Sequence, residues 1–224
     1  MPATRSSTPI RFPVTADGEP RLVECRFATA SDVEIIDQWS RSVSVDDPMP
    51  VQDAAEYAGI AADKWRFYDA SGRAMNALTT IRKALRETPE AELALLFVAI
   101  AGWRRPNPVL GFSLVRRTWA HNLCVDLLAL DPQLLRPGAP KIKGIATGLL
   151  YSIMALGEAI HAGRIWGEAT DQSVGFYRHQ FRIREVFDQF SLNRVEQWHF
   201  MELTRQEWTN TGLPVALAFD TLTP

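Results

Sequence analysis

Residues 93–101 are apolar throughout, and this run limits the folds open to the chain. Pro89 precedes it and the turn residues 104–108 follow it, so its length favours a strand over a helix. A strand without a polar side has to be covered on both faces. The sequence therefore predicts a sheet that carries helices on both faces.

Two more strands are predicted directly after this run. Residues 109–116 place Leu110, Phe112 and Leu114 on one face, and residues 122–130 form the next apolar segment. The short connections between the three strands predict an antiparallel meander. Shorter strands are predicted at residues 23–28, 164–170, 183–190 and 197–203.

Helical periodicity dominates residues 53–86, where apolar side chains recur at spacings of three and four. Shorter helices are predicted at residues 148–162 and 173–180. The strand, loop, helix and strand of residues 122–170 imply one parallel pair inside an otherwise antiparallel sheet. The predicted fold class is therefore α/β (α+β), with a mixed, mostly antiparallel sheet.

The 224 residues fit one domain, which we place at residues 22–224 with a helical insertion at about 53–88. Residues 1–21 are polar and hold four prolines, which predicts a flexible N-terminal arm without the apolar stretch of a signal peptide. The longest apolar run is half of what spans a bilayer, so we expect a cytoplasmic protein without a membrane partner. The net charge of −2 argues against nucleic acid.

The segment that indicates chemistry is residues 141–148, which follows an apolar strand and opens an amphipathic helix. Gly144 and the small Ala146 let backbone N–H groups approach an anion, and the helix start adds unpaired donors. Lys141 and Lys143 add positive charge. The alternative is an ordinary strand-to-helix connection. Histidines and cysteines lack ligand spacing, so no metal site is predicted.

In its wider pattern the sequence resembles the GNAT superfamily of N-acetyltransferases. Residues 128–132 are similar to the end of that family's central strand, and Lys141-x-x-Gly144-x-Ala146 is similar to its pyrophosphate signature. Residues 165–170 and the pair Phe176-Tyr177 resemble the next strand and helix. The order of these elements matches over about residues 24–203.

Two departures from the family pattern bear on function. Thr170 stands nearest to the place of the family's usual asparagine, and the glycine expected before Phe181 is missing. The loop at 131–144 and the helical block at 53–86 are also longer than usual. These differences keep open a fold relative that binds acyl-CoA or a protein partner without catalysis.

The resemblance implies that the central strand and its parallel neighbour splay apart and hold acetyl-CoA, or another acyl-CoA, as co-substrate. The pantetheine arm would contact the main chain of Leu128, Ala129 and Leu130. The pyrophosphate would lie on the loop formed by Lys141, Ile142, Lys143, Gly144, Ile145, Ala146 and Thr147. An amine acceptor would then attack the thioester directly, since one cleft orients both reactants.

Three residues are candidates for proton transfer. Tyr177 occupies the position of the family's general acid, and its alternative role is a core aromatic beside Phe176. Asp126 and Glu168 each interrupt an apolar strand and could act as the base, or each could form a structural salt bridge. Regular alternation places Cys124, Asp126 and Leu128 on one face.

The leading hypothesis is acyl transfer to the primary amine of a small molecule or peptide, with a homodimer also compatible with the sequence. Residues 53–86 and 131–141 are expected to wall the acceptor pocket. The first alternative is the catalytically degenerate fold relative. The second is an unrelated α/β protein whose glycine loop holds a different phosphate.

Overall fold

The computed structural model of this protein describes residues 9–182 and 188–219. These residues form strands and helices whose bounds, in chain order, are β1 (Ile10–Ala16), β2 (Glu19–Phe27), α1 (Ala30–Ser40), α2 (Met49–Ala70), β3 (Ala74–Met75), α3 (Leu78–Glu87), β4 (Leu93–Ile100), β5 (Val109–Arg117), β6 (Leu123–Leu130), β7 (Ile142–Lys143), α4 (Ile145–Ala159), β8 (Ile165–Glu168), α5 (Asp171–Phe181), β9 (Gln189–Leu192) and α6 (Arg194–Thr209). No helix in these ranges combines the length and the hydropathy needed to cross a bilayer.

One mixed sheet runs in the order β7–β1–β2–β4–β5–β6–β8–β9, with the two-residue β3 also paired to β4. Neighbouring strands are antiparallel except for the β6–β8 pair and the short β3–β4 pair. The β6–β8 ladder stops at the Val125–Gly167 pair, whereas β6 continues to Leu130. The predicted fold class, with one splayed parallel pair in a mostly antiparallel sheet, is confirmed.

Helices cover both faces of this sheet. Val33 and Ile36 of α1 and Ala58 of α2 pack on one face, which we call the α2 face. On the other face, here the α4 face, Ile81 of α3 and Leu149 of α4 join a larger core cluster. Leu93 to Ala99 of β4 are buried between the two clusters, as expected for a strand without a polar side.

The predicted helical block is confirmed as α2 and α3, separated by a turn at residues 71–73. Two other predictions are wrong. Residues 1–21 were expected to form a flexible arm, but residues 10–16 form β1, which pairs with β2 from Ile10–Cys25 to Ala16–Glu19. Pro13 is tolerated because β1 lies near the sheet edge. The first eight residues lie outside the described part.

Residues 197–203, predicted as a strand, lie within α6. Asn193 caps this helix, because its side chain accepts hydrogen bonds from the N–H groups of Val195 and Glu196. The Asn193 N–H in turn donates to the Glu196 carboxylate. The buried residues recur at helical spacing, namely Gln197, Phe200, Met201, Thr204 and Trp208. The capping box was therefore the stronger sequence signal. Part of the predicted strand 183–190 lies outside the described residues.

After α6 the chain returns to the sheet. The N–H of Arg11 donates to the carbonyl of Ala216 at 2.7 Å, and the N–H of Ala216 donates to the carbonyl of Arg11 at 3.0 Å. Phe219 then packs its ring 5.7 Å from that of Phe27. This segment covers part of the free edge of β1.

Helix α4 crosses β1 where a glycine replaces a side chain. A Cβ atom at Gly148 would lie 2.0 Å from the ring of Phe12, which itself stacks on Trp208 at 5.3 Å. The ring is fully buried, so it has no room to retreat. Gly148 therefore sets how closely α4 approaches the sheet.

We expect Gly148→Ala to lower the free energy of unfolding by about 2 kcal/mol, because the new methyl group overpacks the core. Gly175→Ala is the matched control, since Gly175 also lies in a helix and an added Cβ would meet nothing within 4 Å. Urea denaturation of both variants measures the difference. Equal stability of the two would contradict this account of α4 packing.

Candidate functional site

The candidate cleft begins at a β-bulge in β6. Leu114 of β5 lies opposite Leu127 and Val115 lies opposite Val125, so Asp126 is the extra residue. A bulge of this kind bends the strand and shifts its alternation. Leu128 accordingly packs on the α4 face, and the prediction that it shares a face with Cys124 and Asp126 is wrong.

Past the bulge, one edge of β6 is open. Leu128, Ala129 and Leu130 pair with β5 on one side, and no described strand pairs with them on the other. Main-chain N–H and C=O groups along such an edge need partners, which an extended ligand can supply. The structure therefore brings the three residues predicted to hold a pantetheine arm to an open strand edge.

The end of β6 is fixed by a buried ion pair. Arg104 Nη1 donates to Asp131 Oδ2 at 2.7 Å, and the Asp131 N–H donates to the carbonyl of Leu110 at 2.9 Å. Asp131 is 1% exposed. The sequence analysis predicted no role for Arg104 or Asp131. The position of Asp131 directly after an apolar strand could have indicated a buried ion pair.

The glycine loop starts α4 without a side-chain cap. Gly144 has φ 97°, a left-handed conformation that disfavours any residue with a side chain. The first helical bond runs from the Gly148 N–H to the Gly144 carbonyl, so the N–H groups of Ile145, Ala146 and Thr147 precede the ladder. These donors, at the positive end of the helix dipole, form an anion-binding arrangement.

The rest of the loop is held by the sheet. Ile142 and Lys143 form β7 and pair with Ala16 and Thr15 of β1. The Lys141 N–H donates to Asp17 Oδ1 at 3.1 Å. Lys141 and Lys143 are both exposed and directly precede the helix start in the chain.

The end of β6 and the side chain of Ile145 both lie close to Gly111 of β5. A Cβ atom on this glycine would lie 2.9 Å from the carbonyl oxygen of Ala129, 3.0 Å from Leu130 and 3.3 Å from Ile145. The end of β6 and the first residue of α4 therefore lie side by side. A single extended ligand can contact both.

A cavity of about 310 Å³ continues from the helix start. Thr147, His179 and Arg182 line it, and the Thr147 hydroxyl donates to Gln180 Oε1 at 3.1 Å, which joins α4 to α5. The two basic side chains were not among the predicted site residues. Their position at the C-terminal end of α5 depends on tertiary packing, which sequence spacing does not show.

Asp126 is locked in a salt bridge. Arg116 donates to its carboxylate from Nε at 2.5 Å and from Nη2 at 2.9 Å, and Lys64 Nζ lies 3.7 Å away. This contact raises the pKa of the Arg116 guanidinium. Burial, together with the charge of Asp126, raises the pKa of the Cys124 thiol to about 12. Arg116 is therefore held in an ion pair, and Cys124 remains a neutral thiol at neutral pH.

Glu168 differs from Asp126 in its surroundings. Trp166 pairs with Cys124 in the parallel ladder, so Trp166 and Glu168 share the α2 face with Cys124. Glu168 is exposed, and among the described residues no side chain hydrogen-bonds or ion-pairs with its carboxylate. It is the carboxylate of the two that a ligand or water can reach.

Tyr177 lies in an aromatic cluster with ring centroids 4.5 Å from Phe190 and 5.8 Å from Phe181. Burial, with a smaller contribution from Tyr57, raises the pKa of Tyr177 to about 12. The phenol therefore stays protonated at neutral pH, which a general acid requires.

Two loops form the rim on the α2 side. Arg136, in the segment after β6, donates to Asp47 Oδ2 at 2.9 Å and to the carbonyl of Ser42 at 3.2 Å. This ties the 131–141 loop to the connection between α1 and α2. Within residues 9–182 and 188–219, no three His, Cys, Asp or Glu side chains form a metal-binding group.

Comparisons with known proteins give structural similarity only. No protein-family model and no curated protein match the chain. Among solved structures, nourseothricin acetyltransferase is similar at TM-score 0.34 and 17% identity over 45% of this chain and 65% of that one, just under two thirds of its length. A GNAT-family acetyltransferase from Staphylococcus aureus Mu50 is similar at TM-score 0.44 and 9% identity, covering 77% and 99% of the two chains.

The spermidine/spermine N-acetyltransferase SpeG from Vibrio cholerae is similar at TM-score 0.44 and 10% identity, over 79% of this chain and 98% of that one. These structures are acetyltransferases, which is the resemblance predicted from the motifs. Because the TM-scores lie below 0.5 and the identities below 20%, the activity of this chain has to be argued from its own residues.

Proposed function

We propose that this protein transfers an acyl group, acetyl in the simplest case, from acyl-CoA to a primary amine within a ternary complex. One observation carries the proposal: β6 ends in an open edge at Leu128 to Leu130, and the chain that follows it starts helix α4 at Ile145 without a side-chain cap. An extended ligand with a polar amide arm and a diphosphate matches these two features in that order. Acyl-CoA is such a ligand, and it carries its acyl group as a thioester.

The residues of the chain would act as follows. Main-chain groups of Leu128 to Leu130 bind the arm, and the N–H groups of Ile145 to Thr147 bind the diphosphate. Fixing the thioester beside the bulge at Asp126 orients it toward the α2 face, where the amine enters. Holding both reactants in one cleft supplies much of the rate.

We assign the two proton-transfer roles from the burial of the candidate side chains. Glu168, exposed on the α2 face, takes the proton from the entering ammonium group directly or through water. Tyr177, kept protonated by burial, donates a proton to the departing thiolate. Asp126 has no such role here, since Arg116 holds its carboxylate in a bidentate contact.

A second candidate function is acyl-CoA binding without catalysis. The observation that favours it is the combination of a locked Asp126 and a Tyr177 that is 5% exposed. Thiol release from acetyl-CoA in the presence of a panel of amines separates the two candidates. Tight CoA binding with no amine-dependent release would favour the binding protein.

Gly144→Glu is expected to abolish CoA binding, because a carboxylate would occupy the phosphate position. The matched control is Gly138→Glu, which adds the same charge at another glycine with positive φ, 80°, and open surroundings. Calorimetric titration with CoA and thermal unfolding measure both variants. Unchanged CoA affinity in Gly144→Glu would refute the placement of the diphosphate.

Tyr177→Phe is expected to lower turnover by about 100-fold while CoA affinity stays unchanged, because only the proton donor is lost. Steady-state kinetics and CoA titration give the two quantities. Tyr57→Phe, which removes the hydroxyl of a half-buried tyrosine of α2, serves as the comparison. If Tyr177→Phe retained full turnover, Tyr177 would be a core residue only.

Asp126→Asn and Glu168→Gln are expected to separate stability from catalysis. The first leaves Arg116 without its main partner and should lower the free energy of unfolding by about 3 kcal/mol. The second removes an exposed carboxylate and should lower turnover at near-constant stability. Urea denaturation and steady-state kinetics distinguish them. Loss of turnover in Asp126→Asn, with full turnover in Glu168→Gln, would reverse the two roles.

A further inference from the structure

A second cavity, of about 260 Å³, lies between α6 and the C-terminal half of α4. It is far from the phosphate loop, because the 14 positions from Gly144 to Glu158 span roughly 20 Å of helix. It also lies on the α4 face, whereas the proposed amine enters from the α2 face. Neither the cofactor nor the acceptor of the proposed reaction accounts for it.

One end of this cavity holds a pre-positioned arginine. Arg205 Nε donates to the Tyr151 hydroxyl at 2.7 Å, and the Tyr151 hydroxyl donates to the carbonyl of Leu217 at 3.0 Å. Burial lowers the pKa of Arg205, but its bond to Tyr151 and the charges of Glu158 and Glu202 outweigh this and raise it. Among the described residues, no hydrogen bond engages its two terminal amino groups. They are available for a carboxylate.

Glu158 lines the same cavity from α4 and forms no ion pair with Arg205 or any other described side chain. Because Glu158 and Arg205 line one cavity without contacting each other, a ligand with one positive and one negative group can lie between them. Arg194 also lines the cavity, but it donates to the carbonyls of Ala162 and His161 and so belongs to the packing of α6 on α4.

Apart from His161 and Gln197, the remaining wall is apolar. Met154 is 1% exposed and Met201 is 5% exposed, and together they form a floor of flexible side chains that adapt to different shapes. The indole of Trp198, 60% exposed, stands at the rim. Ligand pockets usually enclose about 300–1,000 Å³, so this volume suits one small molecule rather than a nucleotide.

We propose that this cavity binds a free α-amino acid with an apolar side chain. The carboxylate would lie on the terminal amino groups of Arg205 and the ammonium group on Glu158. The side chain would rest on Met154 and Met201, with Trp198 closing over it. The site is independent of acyl transfer, and either proposal stands if the other fails.

Calorimetric titration of the full-length protein with L-methionine, L-leucine and L-phenylalanine tests this proposal. We expect saturable binding of at least one of them. Its methyl ester, which lacks the carboxylate, and its N-acetyl derivative, which lacks the ammonium group, should each bind at least about tenfold more weakly. No saturable binding of the three, or equal binding of the blocked derivatives, would overturn the proposal.

Two variants of equal charge change locate the binding. Glu158→Gln removes the carboxylate in the cavity and should weaken the amino acid at least about tenfold. Glu207→Gln removes an exposed carboxylate of α6 that does not line this cavity, and it should leave binding unchanged. If Glu158→Gln bound like the wild type, the amino acid would occupy another part of the molecule and the assignment would be wrong.

Discussion

The separation of β6 from β8 beyond Val125 is the constraint on which the rest of the site depends. A regular ladder would have used the main-chain groups of Leu128 to Leu130 for pairing within the sheet. The bulge at Asp126 instead bends β6, and the Arg104–Asp131 ion pair holds its end away from β8. The open edge therefore lies between two fixed points of β6, the Arg116–Asp126 ion pair before it and the Arg104–Asp131 ion pair after it.

Helix α4 joins the glycine loop to the sheet beside β6. Gly111 allows Ile145 to approach the end of β6, Gly144 allows the tight entry into the helix, and Gly148 allows the helix to lie close to Phe12. Each of the three glycines has a different physical reason for lacking a side chain. Together they fix the position of the helix start relative to the strand edge.

The sequence predicted the parts of the fold that depend on local pattern. The apolar β4, the helical block of α2 and α3, and the strand–loop–helix around Gly144 all have periodicities or turn residues that local rules recognise. Predictions failed where a longer-range contact decided the outcome. Strand β1 forms despite Pro13 because β2 pairs along its whole length, and the bulge at Asp126 is set by its register against β5. The same holds for Arg116, which reaches Asp126 only once the two strands are side by side.

The pairing of Arg11 with Ala216 has a consequence for how the chain reaches this structure. These two residues are separated by nearly the whole sequence, and closing so large a loop is entropically costly and slow. During synthesis, β1 can pair with β2 early and with β7 later, but its outer edge at Arg11 stays uncovered until residue 216 has left the ribosome. Until then the nascent protein exposes a partly unprotected strand, a stage at which a chaperone would have the most to shield.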